Sequence, residues 1–241
     1  MNFESYEIGK DVKKQYLKRT FDILASIAGI ILILPFFILM ALLIKLESLL
    51  NPSSKGPIIH SETRISKGKP FQIYKFRTVK GYLLKVVKEN PENESQSSIQ
   101  YKPNTLTFIG KFLAKFYLDE LPQFFNILKG NMSFVGPRPQ LISTYKTHFK
   151  TDNPSLRYLK AGLCGLCQAS KKNLKLQQAL VDAFNTNNMH SKLLRLDSIY
   201  FEKYKQYSAL KLFFYDLKII LMTFRVIMQA KGLKTFLMEN K

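Results

Sequence analysis

Residues 23–44 read ILASIAGIILILPFFILMALLI, twenty-two positions without a charged side chain. As a straight helix the run would extend about 33 Å, enough to match the hydrocarbon core of a bilayer. It is too long for the apolar core of a secretion signal, and no small-residue cleavage site accompanies it. The plain reading is a single transmembrane anchor, but two features favour another. Pro35 stands near the middle, where it removes a backbone hydrogen bond and forces a kink. Lys10, Lys13, Lys14, Lys18 and Arg19 precede the run, while Lys45, Lys55, Arg64, Lys67, Lys69, Lys75 and Arg77 follow it. Lys and Arg concentrate on one side of a membrane, so a straight span would strand one of these clusters. A helix broken at Pro35, dipping into the bilayer and returning to the same face, leaves both on one side. The segment is therefore expected to be a re-entrant hairpin.

The rest of the chain is basic. Its 241 residues hold 37 Lys+Arg against 17 Asp+Glu, a formal charge of +20. Such a balance favours polyanionic partners: nucleic acid, anionic lipid headgroups or phosphorylated substrates. With only two cysteines, no disulfide framework is needed. Length allows one compact domain with appendages.

Working outward, residues 56–79 suggest two short strands around a Lys67-Gly68-Lys69-Pro70 turn. The polar stretch 80–104, centred on ENPENESQSS, suggests a mobile surface loop. Phe108–Tyr117 has apolar residues at amphipathic-helix spacing. Pro122 suits the first turn of a helix that ends at Gly130. A looser region spans 150–190, followed by helices over Leu193–Tyr207 and Leu210–Met228. The last is rich in Phe, Leu, Ile and Met and reads either as an interfacial helix or as an ordinary buried one. The expected class is α+β, mainly helical, with small strand elements, the N-terminal re-entrant membrane hairpin and amphipathic interfacial helices.

The densest candidate chemistry lies in YLDELPQFFNILKGNMSFVGPRP, residues 117–139. Asp119 and Glu120 are adjacent carboxylates just before a helix start, a place that suits a phosphate, a Mg²⁺-binding carboxylate or a nucleophile. By spacing alone they read first as an ordinary helix cap. In Gly136-Pro137-Arg138-Pro139 two prolines restrain the backbone around Arg138, which suits bidentate phosphate recognition or simply a rigid turn. Cys164-Gly-Leu-Cys167 has no second cysteine pair and no thioredoxin-like setting, and His60, His148 and His190 show no ligand or triad spacing.

Taken in order, the motifs are more specific than any one alone. They are Lys18-Arg19-x-x-Asp22, the Pro35-interrupted apolar run, Gly56-Pro57, Lys75-Phe76-Arg77-Thr78, Leu118-Asp119-Glu120-Leu121-Pro122-Gln123, Asn126-x-x-Lys129-Gly130-x-Met132-Ser133 and Val135-Gly136-Pro137-Arg138-Pro139. Gly162-x-x-Gly165-x-x-Gln168 and Asp197-x-x-Tyr200 with Ser208 and Asp216-Leu217 follow. The series resembles the bacterial sugar transferases, monotopic polyprenyl-phosphate phosphoglycosyl transferases in their small catalytic form, from about Lys18 to Thr223. The resemblance implies that Asp119 attacks the sugar-bearing phosphorus of a UDP-sugar and releases UMP. Polyprenyl (undecaprenyl) phosphate would then take the phosphosugar, with Glu120 and Mg²⁺ assisting, and Asp119 and Glu120 are also the implied metal ligands. The substrate-binding positions carried over are Arg138, Pro137, Pro139, Lys75, Arg77, Gln123, Gln168 and Asp197. Lys18, Arg19, Asp22 and Pro35 would shape the membrane hairpin.

The implied organisation is a basic juxtamembrane segment at 1–22, the re-entrant helix at 23–44, a catalytic domain at 45–223 on the cytoplasmic face of the bacterial inner membrane, and a tail at 224–241. The partners implied are a UDP-sugar, the polyprenyl phosphate lipid and anionic membrane, with no nucleic acid; a homo-oligomer is compatible. The product would enter surface glycan: capsule, exopolysaccharide or lipopolysaccharide. The chain departs from the family pattern where arginines are usual, at Thr105 and Ala114, and carries Cys164 where Thr is common. A catalytically impaired relative, or a basic membrane-anchored scaffold, is the competing reading.

Overall fold

A computed structural model describes residues 16–149, 155–170 and 189–228. Most of the expected 1–22 segment, most of the 224–241 tail and part of the looser region lie outside the described residues. The apolar run belongs to one helix, α1 (Tyr16–Leu50), longer at both ends than the expected 23–44 and helical through Pro35. The expected break is thus not a division into two elements. A proline inside a helix removes one backbone hydrogen bond, and the surrounding turns carry the helix past it. Leu24, Ile31, Leu32, Leu34, Ile38, Leu39 and Leu42 are exposed, whereas Asp22, Ser26, Met40 and Ile44 are buried. Among the described residues this is the one helix long and apolar enough to cross a membrane, by length and composition. So much exposed apolar surface is unfavourable in water and matches a membrane location.

Both ends of α1 are fastened to the remainder of the chain. At the N-terminal end Lys18 Nζ lies 2.6 Å from Asp216 Oδ2. The Arg19 guanidinium donates to the carbonyls of Ile127 and Leu128 at 2.7 and 2.8 Å. Asp22 Oδ1 accepts from Ser133 Oγ and the Phe134 amide. At the other end Glu47 accepts the amides of Phe108 and Ile109, and Ser48 Oγ accepts from Arg77. Between them Phe37 packs on Phe76 and Phe125.

The expected hairpin is present as β1 (Ile59–Ser66) and β2 (Lys69–Phe76), antiparallel from Ile59↔Phe76 to Ser66↔Lys69. Lys67 and Gly68 form the two-residue turn, both at positive φ, 48° and 70°; left-handed turn residues match the twist of the flanking strands.

The 80–104 stretch is not the expected surface loop. It forms α2 (Leu84–Glu89) and α3 (Gln96–Ile99), with Leu84, Val87 and Ile99 closing a small core against Val79. Two of its polar residues, Ser95 and Gln96, turn inward. Ser95 and Ser98 make a reciprocal cap, while Gln96 donates to Phe76 O and accepts the Thr78 amide. A polar composition conceals such a segment because its hydrogen bonds satisfy backbone that the hairpin leaves open.

Next come α4 (Phe108–Lys115), capped by Thr107, and α5 (Gln123–Leu128), which begins after Pro122 and ends before Gly130 at φ 84°. Strand β3 (Met132–Val135) pairs in parallel with β4 (Ala161–Cys164). Helices α6 (Ile142–Phe149), α7 (Ser155–Tyr158), α8 (Leu166–Ser170), α9 (Met189–Gln206) and α10 (Ala209–Met228) complete a mainly helical α+β fold. The largest core joins Ile65 and Ile73 of the hairpin to Ile127, Met132, Val135, Leu196, Tyr200, Leu212 and Ile219. Helix α10 buries one face and exposes Leu210, Phe214, Leu221, Phe224 and Met228 on the other, the pattern of an interfacial helix.

Candidate active site

Asp119 and Glu120 sit on a 3-10 turn, Leu118–Glu120, between α4 and α5. Tyr117 enters it in the left-handed region at φ 57°, a conformation that costs a non-glycine residue about 1–2 kcal/mol. The turn is anchored on both sides. Gly110 of α4 lies so close to the Thr78 backbone that a Cβ would overlap its carbonyl. The far end of α5 gives its last carbonyls to Arg19, a cation placed at the negative end of a helix dipole.

Asp119 is 3 % exposed. Burial lifts its carboxyl to about 7; Lys75 opposes the lift, and Glu120 adds to it. Lys75 Nζ stands 3.2 Å from Glu120 Oε1 and 3.1 Å from Ser97 Oγ. Burial alone would lower the Lys75 ammonium, but Glu120, Asp119 and Glu62 together hold it above its ordinary value. Lys75 is thus a buried cation that both carboxylates share.

Arg138 follows β3. Gly136 N donates to Cys164 O, and Gly162 N donates to Pro137 O at 2.8 Å, so the loop is built into the parallel pair. A Cβ on Gly136, Gly162 or Gly165 would overlap backbone of the neighbouring segment, so glycine is what lets these chains approach. Burial would weaken the Arg138 cation, yet Glu120 raises it above the ordinary arginine value. Behind it, buried Asp197 accepts the Arg138 backbone N–H; burial pushes this carboxyl well up despite the guanidinium.

Two cavities meet here. One, of about 520 Å³, is polar, with Arg64, Lys75, Ser97, Tyr101, Gln123 and Thr144 on its walls. The other, of about 340 Å³, is apolar, with Phe116, Leu121, Phe124, Leu163, Ile220 and Phe224. Glu120, Arg138 and Gln168 belong to both.

Of the sequence candidates, Lys75, Glu120, Gln123, Arg138, Pro139 and Gln168 line the polar cavity. Pro137 is buried in the strand connection. Asp197 lies behind Arg138 and is off both cavity walls. Arg77 is elsewhere: fully buried, it donates to Pro57 O, Val79 O and Ser48 Oγ and ties the end of α1 to the hairpin. Lys18, Arg19 and Asp22 fasten α1 to α10, α5 and β3, the last two being the elements that flank the carboxylates and Arg138. Cys164 and Cys167 are buried and form no disulfide; Cys164 lines the apolar cavity. Sequence reasoning missed Arg64, Ser97, Tyr101 and Thr144. In the sequence Arg64 reads only as charge, although its alternation with His60 and Glu62 on one strand face is a usable signal.

Fold and site together define a membrane-associated α+β domain in which Glu120 lines both a cation-lined cavity and an apolar one, while its neighbour Asp119 is buried beside it and lines neither. The chain belongs to the bacterial sugar transferase family, whose model matches residues 13–230. It is 37% identical over 157 residues (64% of the chain, 34% of the relative) to a UDP-N-acetylgalactosamine-undecaprenyl-phosphate N-acetylgalactosaminephosphotransferase of Aeromonas hydrophila. It is 30% identical over 242 residues to the galactosyl transferase CpsE of Streptococcus agalactiae, covering 96% of the chain and 48% of the relative. To the exopolysaccharide production protein ExoY of Rhizobium meliloti it is 34% identical over 193 residues, covering 76% and 80%. The chain thus spans a third to a half of the length of the first two relatives and most of the third.

Proposed function

We propose that this chain transfers a sugar 1-phosphate from a UDP-sugar to polyprenyl phosphate at the cytoplasmic face of the inner membrane, as an early step of surface glycan assembly. The observation that carries the reading is the pair of unlike cavities joined at Glu120, Arg138 and Gln168. A polar, cationic cavity suits a nucleotide and its diphosphate. An apolar cavity walled partly by the interfacial helix α10 suits a prenyl chain. The names of the relatives, which pair UDP-sugars with undecaprenyl phosphate, support the same chemistry.

The reaction proceeds in two displacements. A carboxylate oxygen of Asp119 bonds to the sugar-bearing phosphorus, the phosphoanhydride bond to UMP breaks, and UMP leaves with the electron pair. An oxygen of polyprenyl phosphate then bonds to the same phosphorus, the Asp119–phosphorus bond breaks, and the carboxylate is regenerated. Arg138 and Lys75 offset the negative charge that would otherwise repel an anionic nucleophile. The low exposure of Asp119 keeps water from the acyl phosphate. Mg²⁺ fits this donor set: two adjacent carboxylates, one of them lifted towards neutrality by burial, suit an ion that takes one or two carboxylates plus substrate phosphate oxygens. Bound there, by Glu120 with Asp119, it would supply charge neutralisation across the diphosphate.

The docking of both ends of α1 on one domain supports the re-entrant arrangement over a straight span. If the domain lies on one side of the bilayer, Lys18, Arg19, Asp22, Glu47 and Ser48 all lie there with it. Purified protein with Mg²⁺, undecaprenyl phosphate and a panel of UDP-sugars should release UMP with at least one sugar and form a lipid-linked phosphosugar. No UMP with any sugar contradicts the proposal.

A further inference from the structure

Three cations line the polar cavity: Lys75, Arg138 and Arg64. The first two serve the carboxylate pair. Arg64 serves neither, and its surroundings are built with care. It stands on β1 two residues after Glu62, so the two side chains share a strand face. Glu62 Oε1 accepts from Arg64 Nε at 3.3 Å and from Nη2 at 2.6 Å. Glu62 Oε2 accepts the Gln96 amide at 2.8 Å and lies 3.5 Å from His60 Nε2. Both carboxylate oxygens are thereby engaged. One grips a side edge of the guanidinium; the other holds the start of the α3 segment, whose Ser95, Ser97 and Ser98 line the same cavity.

The grip has a direction. It uses the Nε/Nη2 edge and leaves Nη1 with no bond to protein among the described residues, on a residue that forms the cavity wall. A buried carboxylate is costly unless fully partnered, and Glu62 remains well ionised because Arg64, the His60 contact and Lys75 outweigh its burial. Simple charge balance would not need the guanidinium fixed edge-on. A fixed fork with an unbonded nitrogen, on a residue that lines a cationic cavity, is an arrangement that suits a phosphate oxygen.

We propose that Arg64 binds a phosphate group of the nucleoside-diphosphate substrate, and that Glu62 is its positioning residue, tying Arg64 and the Ser95–Ser98 segment into one wall. The proposal rests on the transferase reading of the cavity and deepens it. Arg64 acts on binding rather than on the displacement, so its loss appears in KM for the nucleotide donor.

The experiment combines steady-state kinetics on full-length protein with calorimetric titration of UDP alone. Arg64→Ala should raise KM for the UDP-sugar about ten- to a hundredfold, the worth of one charge-assisted hydrogen bond. It should weaken UDP binding by a similar factor and leave kcat and KM for polyprenyl phosphate nearly unchanged. Arg64→Lys, which keeps the charge but not the fork, should fall between. Glu62→Gln should move the same KM in the same direction, and the double variant should be no worse than Arg64→Ala, because the two act as a unit. A merely structural Glu62 would lower the melting temperature with KM unmoved. If wild type turns over while Arg64→Ala keeps its KM and its UDP affinity, the proposal is overturned and the transferase reading stands. If wild type binds UDP more tightly than Arg64→Ala yet releases no UMP with any sugar, the proposal stands and the transferase reading falls. No UDP binding by wild type overturns the proposal.

Discussion

Lys75 and Glu120 face each other at 3.2 Å, from the end of β2 and the turn before α5. This contact joins the hairpin to the carboxylate pair and places one buried ammonium between two acids. Lys75→Met should therefore raise the Asp119 carboxyl above its value of about 7. The displacement needs the ionised form, so the acid limb of the kcat/KM profile should move to higher pH. The rate at neutral pH should fall about a hundredfold, in the range seen when one preorganised electrostatic group is lost. A variant with an unmoved acid limb would separate Lys75 from the pair.

Asp119 also sets a pH dependence of stability. Its folded value is raised from 3.8 to about 7, so the folded state binds the proton more tightly than the unfolded chain. Stability from this group is complete below about 3.8 and is lost as pH rises through about 7. Asp119→Asn removes the cost of the buried charge. Thermal unfolding in detergent should show the variant more stable than wild type at pH 8, by a few °C, with the gap closing towards pH 4. A variant less stable at pH 8 would contradict this electrostatic reading.

Lys18 and Asp216 are 14% and 6% exposed at their side chains and 2.6 Å apart, with Tyr200 donating to the other Asp216 oxygen at 2.8 Å. Removing one partner of so enclosed a pair costs about 3 kcal/mol or more. Lys18→Met should lose that much in unfolding experiments at pH 8. Burial raises the Asp216 carboxyl even with Lys18 present, so the deficit should shrink on acidification as Asp216 protonates. A pH-independent deficit would assign the loss to packing.

Single cysteines at Tyr16 and Asn51, the first exposed and the second just past the end of α1, report topology. Both should be labelled by an impermeant maleimide only after the membrane is opened from the cytoplasmic side. Labelling from opposite sides would establish a straight span.

The sequence made the hairpin legible because Lys67-Gly68 carries its own turn geometry, and made α5 legible because Pro122 and Gly130 punctuate it. The carboxylates and Arg138 were legible through the ordered motifs around them. Three things were not. Arg77 stood in a basic motif, and only packing shows that its guanidinium is consumed by two carbonyls and Ser48. The 80–104 stretch looked like a loop, because Ser95 and Gln96 act through hydrogen bonds that composition does not display. Arg64 was one charge among many until Glu62 was seen to hold it.

The most direct test of the central claim is intact and peptide-level mass spectrometry of protein mixed with Mg²⁺ and the accepted UDP-sugar in the absence of polyprenyl phosphate. A phosphosugar adduct on Asp119, absent from Asp119→Asn and discharged when polyprenyl phosphate is added, is the expected result. An adduct on Glu120, or UMP release by Asp119→Asn at the wild-type rate, would contradict it.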